Sequence, residues 1–168
     1  TLFEAQVSAL KVFSMLARTI AIESKAAKGD ATSPRVRAIV EKARKSNMPK
    51  ENIERAIAKG AGTGGEAYET VRYEGYGPGG VALIIEGITD NPNRTSQEIK
   101  HIFTKGGHAL GTPGSAAWAF ERKEVEGSIS WAPNNTIALS DEDGEKLGAL
   151  VDELEEHDDI ENVSTNAE

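Results

Sequence analysis

The chain has 168 residues, no cysteine and a formal net charge of -8; this length can bury its own hydrophobic core, and the missing thiols exclude disulfides, thiolate catalysis and cysteine-ligated zinc. The net charge hides a division, because residues 1–60 hold 12 Lys or Arg against 6 Asp or Glu, whereas the remaining 108 hold 7 against 21. A basic half of +6 and an acidic half of -14 imply one surface that seeks a polyanion and one that does not. No apolar run approaches the ~18 residues of a membrane-spanning helix, so no membrane partner is expected.

In chain order, Thr1 to Leu10 lack the basic start and apolar core of a signal peptide. Phe13, Leu16, Ile20 and Ala27 recur near helical spacing, predicting a helix from Lys11 that stops at Gly29-Asp30. Ser33-Pro34 supplies an N-cap and a proline at the first helical position, and Val36, Ile39, Val40 and Ala43 form the stripe of a second helix reaching about Lys45. Asn47-Met48-Pro49 interrupts the pattern, and Pro49 opens a third helix with Ile53, Ala56 and Ile57. Gly60, Gly62, Gly64 and Gly65 then read as a linker, dividing a basic helical domain over 11–62 from an α/β domain over 70–168.

Beyond the linker, Thr70 to Glu74 predicts a short strand and Gly75-Tyr76-Gly77-Pro78-Gly79-Gly80 a turn, which leads into the buried strand Val81 to Ile88. Asn93 is the expected cap of a helix bearing Ile99, Ile102 and Phe103 and closing at Gly106-Gly107. Ser115 to Val125 predicts a strand with Trp118 and Phe120 on one face, and Ser128 to Leu139 another, broken at Pro133-Asn134-Asn135. Ser140 starts a last helix striped by Leu147, Leu150, Val151 and Leu154, and Ile160 to Ser164 closes as a strand. From Val81 the order βαββαβ predicts a ferredoxin-like domain of the α/β (α+β) class, following a three-helix domain.

The leading candidates for chemistry are the cations of the first half: Lys11, Arg18, Lys25, Arg35, Arg37, Lys42, Arg44, Lys45, Lys50 and Arg55, with Lys28 and Lys59 beside them. On solvent faces they would contact phosphates, with steeply salt-dependent binding. The plainer reading is an ordinary solvated face, partly neutralised by pairs such as Glu51 with Arg55. The glycine-rich turn lacks the Lys-Ser/Thr ending of a phosphate loop and precedes a strand, so it reads as strand entry. Tyr73 and Tyr76 offer stacking platforms or packing. Asp90, Asn93 and Arg94 follow a strand end, where α/β proteins often place ligand groups, although capping and a surface ion pair explain them too. His101, His108 and His157 lack metal-ligand spacing, so neither a metal nor a cofactor is expected. The stretch from Asp141 to Glu168 holds 12 carboxylates and one Lys, too many like charges for a catalytic pair.

Three stretches resemble the YebC/PmpR family, which includes bacterial transcriptional regulatory proteins and the mitochondrial translational activator of cytochrome oxidase. They are Lys11-Val12-Phe13-Ser14 with Asn47-Met48-Pro49-Lys50-Glu51-Asn52-Ile53-Glu54-Arg55-Ala56-Ile57; Tyr73-Glu74-Gly75-Tyr76-Gly77-Pro78-Gly79-Gly80 with Asp90-Asn91-Pro92-Asn93-Arg94-Thr95; and Lys146-Leu147 with Asp158-Asp159-Ile160-Glu161-Asn162-Val163. The resemblance implies a non-enzymatic, monomeric regulator in the cytoplasm or an organellar matrix, whose partner is ribosomal RNA, the ribosome or promoter DNA. Two departures stand out. Thr1 to Leu10 replace the family's basic opening and are somewhat like a fragment of its inserted domain, and Glu126-Gly127-Ser128 runs straight on where the family carries that third α/β domain. From the residues alone, no helix-turn-helix or base-reading aromatic motif supports specific DNA readout, whereas RNA contacts through shape and phosphates remain open. The alternative from another class is a small-molecule-binding or enzymatic α/β domain with Asp90, Asn93 and Arg94 as its site.

Overall fold

The structure, a computed structural model, describes residues 2–62, 67–125 and 128–168. It divides into two compact units, Thr1–Glu69 and Thr70–Glu168.

The first unit is built from helices α1 (Leu2–Ala26), α2 (Pro34–Lys45) and α3 (Lys50–Ala61). Helix α1 starts well before the predicted Lys11, because nothing from Leu2 to Leu10 is a proline or glycine able to stop it. At Ser33 the backbone carbonyl accepts the Arg37 N–H at 2.9 Å, while the hydroxyl makes no capping bond. The interruption at Asn47-Met48-Pro49 has a specific geometry. Asn47 takes φ +63°, which asparagine tolerates better than most residues. Met48 donates its N–H to the Ala43 carbonyl at 3.0 Å and buries its side chain, and Pro49 caps α3 by accepting from Asn52 and Ile53. Met48 thus joins Leu16, Ile20, Val36, Val40, Ala43, Ile53 and Ala56 in one core.

Helices α1 and α3 approach each other closely at Gly60. A Cβ there would lie 2.2 Å from the Ala21 carbonyl oxygen and 2.8 Å from Ser24 Cβ. The fully buried Ser24 donates its hydroxyl to the Ile57 carbonyl at 2.7 Å, so this close approach is hydrogen-bonded as well as packed.

The second unit contains strands β1 (Glu69–Tyr76), β2 (Ala82–Thr89) and β3 (Ala109–Leu110), helix α4 (Pro92–Lys105), the β4 (Phe120–Val125) and β5 (Ser128–Pro133) hairpin, helix α5 (Asp141–Glu156) and strand β6 (Ile160–Thr165). The α+β class and the order of helices before sheet are as expected, but the strand pairing differs from the ferredoxin-like arrangement. One sheet runs β3-β1-β2-β6, and β4-β5 form a separate two-stranded sheet. The ferredoxin-like order would set β5 beside β2, opposite β6; β1, which precedes the βαββαβ run, pairs there instead, leaving β4 and β5 to pair with each other. Within β1, Glu74 and Gly75 are buried, and Tyr76 at its end is exposed.

Strand β2 is covered on both faces, which is why it reads as a continuous apolar run. Leu83 and Ile85 pack with Ile99, Ile102 and Phe103 of α4 and with Leu147, Leu150 and Leu154 of α5. Ala82 and Ile84 point the other way, onto Ala116, Ala119 and Phe120. The buried Asn166 accepts the Ala82 N–H at 2.7 Å and donates to the Asn135 carbonyl at 2.9 Å. The cap of α4 is Asn91, whose side chain accepts the Arg94 N–H, and not the predicted Asn93; Pro92 already occupies the first turn. Ser140 caps α5 as expected. Ser115 to Ala119 is a turn and a short 3-10 segment rather than strand, because its amides are drawn onto Glu74. Gly64, Gly65 and the pair Glu126-Gly127 lie outside the described residues; across that hairpin Val125 pairs with Ser128.

Replacing Gly60 with alanine forces α1 and α3 apart and is expected to cost about 1–3 kcal/mol. Gly144→Ala, on α5 with open space around it, is expected to be neutral or to stabilise by up to about 1 kcal/mol. Thermal unfolding of both variants checks the pair, and equal melting temperatures would contradict the close-contact assignment.

Candidate nucleic-acid interface

The cations singled out from sequence fall into two groups on the first unit. Helix α2 presents Arg35, Arg37, Lys42, Arg44 and Lys45, all exposed. Arg35 lies 3.5 Å from Glu23 and Arg44 lies 3.9 Å from Glu41. Arg37, Lys42 and Lys45 have no ion pair among the described residues, so their charge is available to an outside anion. Lys25 is exposed in the last turn of α1, Lys11 is half-buried, and Lys50 pairs with Glu54 at 3.8 Å.

The second group lines an open groove between α1 and α3, of about 420 Å³. Its floor is apolar, formed by Phe13, Ala17, Met48 and Ala56, and its rim carries Arg18, Arg55 and Lys59. No Asp or Glu lines it among the described residues. Arg55 donates to the Asn52 side-chain oxygen at 2.6 Å. Lys59 donates to the Tyr68 hydroxyl at 3.0 Å and lies 4.6 Å from the centre of that ring, and the Arg18 guanidinium lies 5.5 Å from it. Tyr68 therefore holds two cations through its π face. Sequence reasoning singled out Arg18 and Arg55 but missed Tyr68, Asn52 and the groove itself. The available signal was the i,i+4 spacing of Arg55 and Lys59 on one face of α3.

Of the residues expected as a secondary site, Tyr73, Asp90 and Arg94 converge around Asp159, whereas Asn93 and Tyr76 do not join them. Tyr73 is half-buried against the core of the second unit; burial raises its phenol, and the nearby Asp159 charge adds to this. Asn93 is exposed and makes no cap. Arg94 donates to Asp159 at 3.0 Å and Asp90 at 3.4 Å, and lies 3.8 Å from Glu98. The bond to Asp159, opposed by desolvation and helped by the three carboxylate charges, raises its already high pKa. Asp159 is almost fully buried and also accepts from Thr95 Oγ1 at 2.8 Å, so Asp90 and Arg94 belong to a fold-holding network. Asp159 lies in the third family-like stretch, but nothing there marks it as the partner of Arg94, which is far away along the chain.

Glu98, His157 and Asp159 bring three ligand-type atoms within 4.8 Å of one another. Each is already engaged: His157 Nδ1 accepts the Asp159 N–H at 3.1 Å, His157 Nε2 meets Glu98, and Asp159 is held as described. The glycine-rich turn is also structural, since a Cβ on Gly79, at φ +70°, would lie 2.3 Å from Leu139.

Tyr76 is exposed. Its hydroxyl donates to the Ser115 carbonyl at 2.5 Å and accepts the indole N–H of Trp118 at 2.7 Å, leaving Trp118 59% exposed. Underneath, the buried Glu74 carboxylate accepts the backbone N–H groups of Gly114, Ala116 and Ala117 at 2.6, 3.1 and 2.7 Å.

Models of the TACO1/YebC protein N-terminal domain match residues 5–63, and of the TACO1/YebC second and third domain residues 68–127 and 124–167. The chain belongs to the TACO1/YebC family. This is a family of regulators of transcription and translation. A crystal structure described as a conserved hypothetical protein from Aquifex aeolicus is similar at 33% identity and a TM-score of 0.84, over 94% of this chain and 89% of that one. No helix among the described residues is long and apolar enough to cross a membrane.

Burial alone would raise the Glu74 carboxyl, but its three backbone N–H donors and the Arg72 charge together hold it below the ordinary value of 4.5. Its stabilisation is therefore complete above that value and is lost as pH falls through the lowered one. Urea unfolding of Glu74→Gln is expected to show its largest deficit near neutral pH, shrinking under acid conditions; a deficit constant with pH would contradict this.

Proposed function

We propose that the protein is a non-enzymatic, nucleic-acid-associated regulator of gene expression, most readily understood as a ribosome-associated translational activator that relieves stalling. The observation that carries this reading is the set of cations on α2 with no ion pair among the described residues, Arg37, Lys42 and Lys45. They lie in a chain half whose balance is +6. Phosphate neutralisation by such residues releases counterions and binds without reading sequence, which suits a structured RNA. The acidic second half, at -14, would be repelled from the same polyanion, so contact would be made by the first unit. The protein would act as a monomer, in the cytoplasm or an organellar matrix.

A promoter-binding regulator is the second reading, favoured by the family's inclusion of transcriptional regulators. The small-molecule alternative is weakened because Arg94, its central residue, is bonded to Asp90 and Asp159.

Changing Arg37, Lys42 and Lys45 together to glutamine should weaken RNA binding and flatten the dependence of log affinity on log salt by about 2–3 units. An unchanged slope would remove α2 as the contact. In a sedimentation profile the wild-type protein is expected in ribosomal fractions at low salt; absence there, with tight and sequence-specific promoter binding, would overturn the translational reading.

A further inference from the structure

We propose that the groove between α1 and α3 is a binding site for an unpaired nucleotide, its base in the groove and its phosphates on the rim; this rests on the reading of the first unit as the nucleic-acid contact. A volume of about 420 Å³ lies in the range of sites that enclose a small ligand. It suits one nucleotide and not a duplex, whose bases stay stacked and paired. The floor of Phe13, Ala17 and Met48 offers apolar surface to a base, and Arg18 offers a guanidinium plane, on which unpaired bases also stack.

The rim fits the phosphates. Arg18, Arg55 and Lys59 stand around the groove with no carboxylate among its described lining residues. They are ordered in advance: Lys59 is bonded to the Tyr68 hydroxyl, Arg18 and Lys59 lie over its ring, and Arg55 is bonded to Asn52. Less side-chain entropy is then lost when an anion binds. Because the Asn52 oxygen accepts from Arg55, the amide nitrogen of Asn52 is the group that can donate to an acceptor on the base edge. A bare anion would need only the rim. The combination of apolar floor, amide and cations matches the mixed chemistry of a nucleotide.

This differs from the α2 surface, where exposed cations would meet phosphates of any strand. Binding of a fluorescein-labelled single-stranded RNA about ten nucleotides long would be compared with binding of the matching duplex, using the full chain. The wild type is expected to prefer the single strand. Tyr68→Ala removes the clamp on Lys59 and Arg18, and Ser14→Leu, at an exposed lining position, fills the groove without changing charge. Each is expected to lower single-strand affinity about tenfold, a stacked base being worth that much or more, and to leave duplex affinity unchanged. The α2 triple variant lowers both together. Groove variants with wild-type circular dichroism that bind as the wild type does, or lose both probes equally, would overturn the groove assignment alone. A wild type that binds neither probe would overturn the nucleic-acid reading along with it.

Discussion

The close approach of α1 to α3 at Gly60 is the constraint on which the first unit depends. With Ala21 O positioned where a side chain would have to go, and Ser24 bonded to the Ile57 carbonyl, the two helices are locked near their C-terminal ends. The lock sets Arg18 on α1 opposite Arg55 and Lys59 on α3. Three like charges facing one groove repel one another, at a cost that falls with distance and solvent screening. Helix packing supplies what holds them there, and the Tyr68 ring and the Asn52 amide supply local compensation. A concentration of positive charge maintained against its own repulsion is the property an anionic ligand would exploit.

The second unit uses buried carboxylates differently. Glu74 gathers three backbone N–H groups and shapes the turn that presents Trp118, while Asp159 joins Arg94 and Thr95. In both cases the cost of burying a negative charge is offset by donors aimed at it. Among the described residues these are the two charged groups buried in this unit, and their bonds hold the fold. The remaining carboxylates are mostly exposed, giving a solvated acidic face.

Much of the fold was legible because local chemistry decided it. Met48 between Asn47 and Pro49 could only break a helix, and the run from Val81 to Ile85 could only be buried. Pairing was less legible, since the place beside β2 was open to more than one strand. β1 lies outside the βαββαβ run that suggested the fold, and its competition with β5 for that place appears only when both strands are weighed together. The capping role assigned to Asn93 belongs to Asn91, two positions earlier, because Pro92 could already open the helix. For the candidate site, composition pointed to the half of the chain that holds the groove but not to the groove itself. Tyr68 carries no periodic signal, and its two cations come from different helices.

The most direct test of nucleic-acid contact by the first unit is ultraviolet crosslinking of the protein in cells, with the crosslinked peptides identified by mass spectrometry and the attached nucleic acid sequenced. Adducts are expected on peptides from α2 and the α1–α3 groove, carrying predominantly ribosomal RNA. Adducts confined to residues 70–168, or none above background, would contradict contact by the first unit.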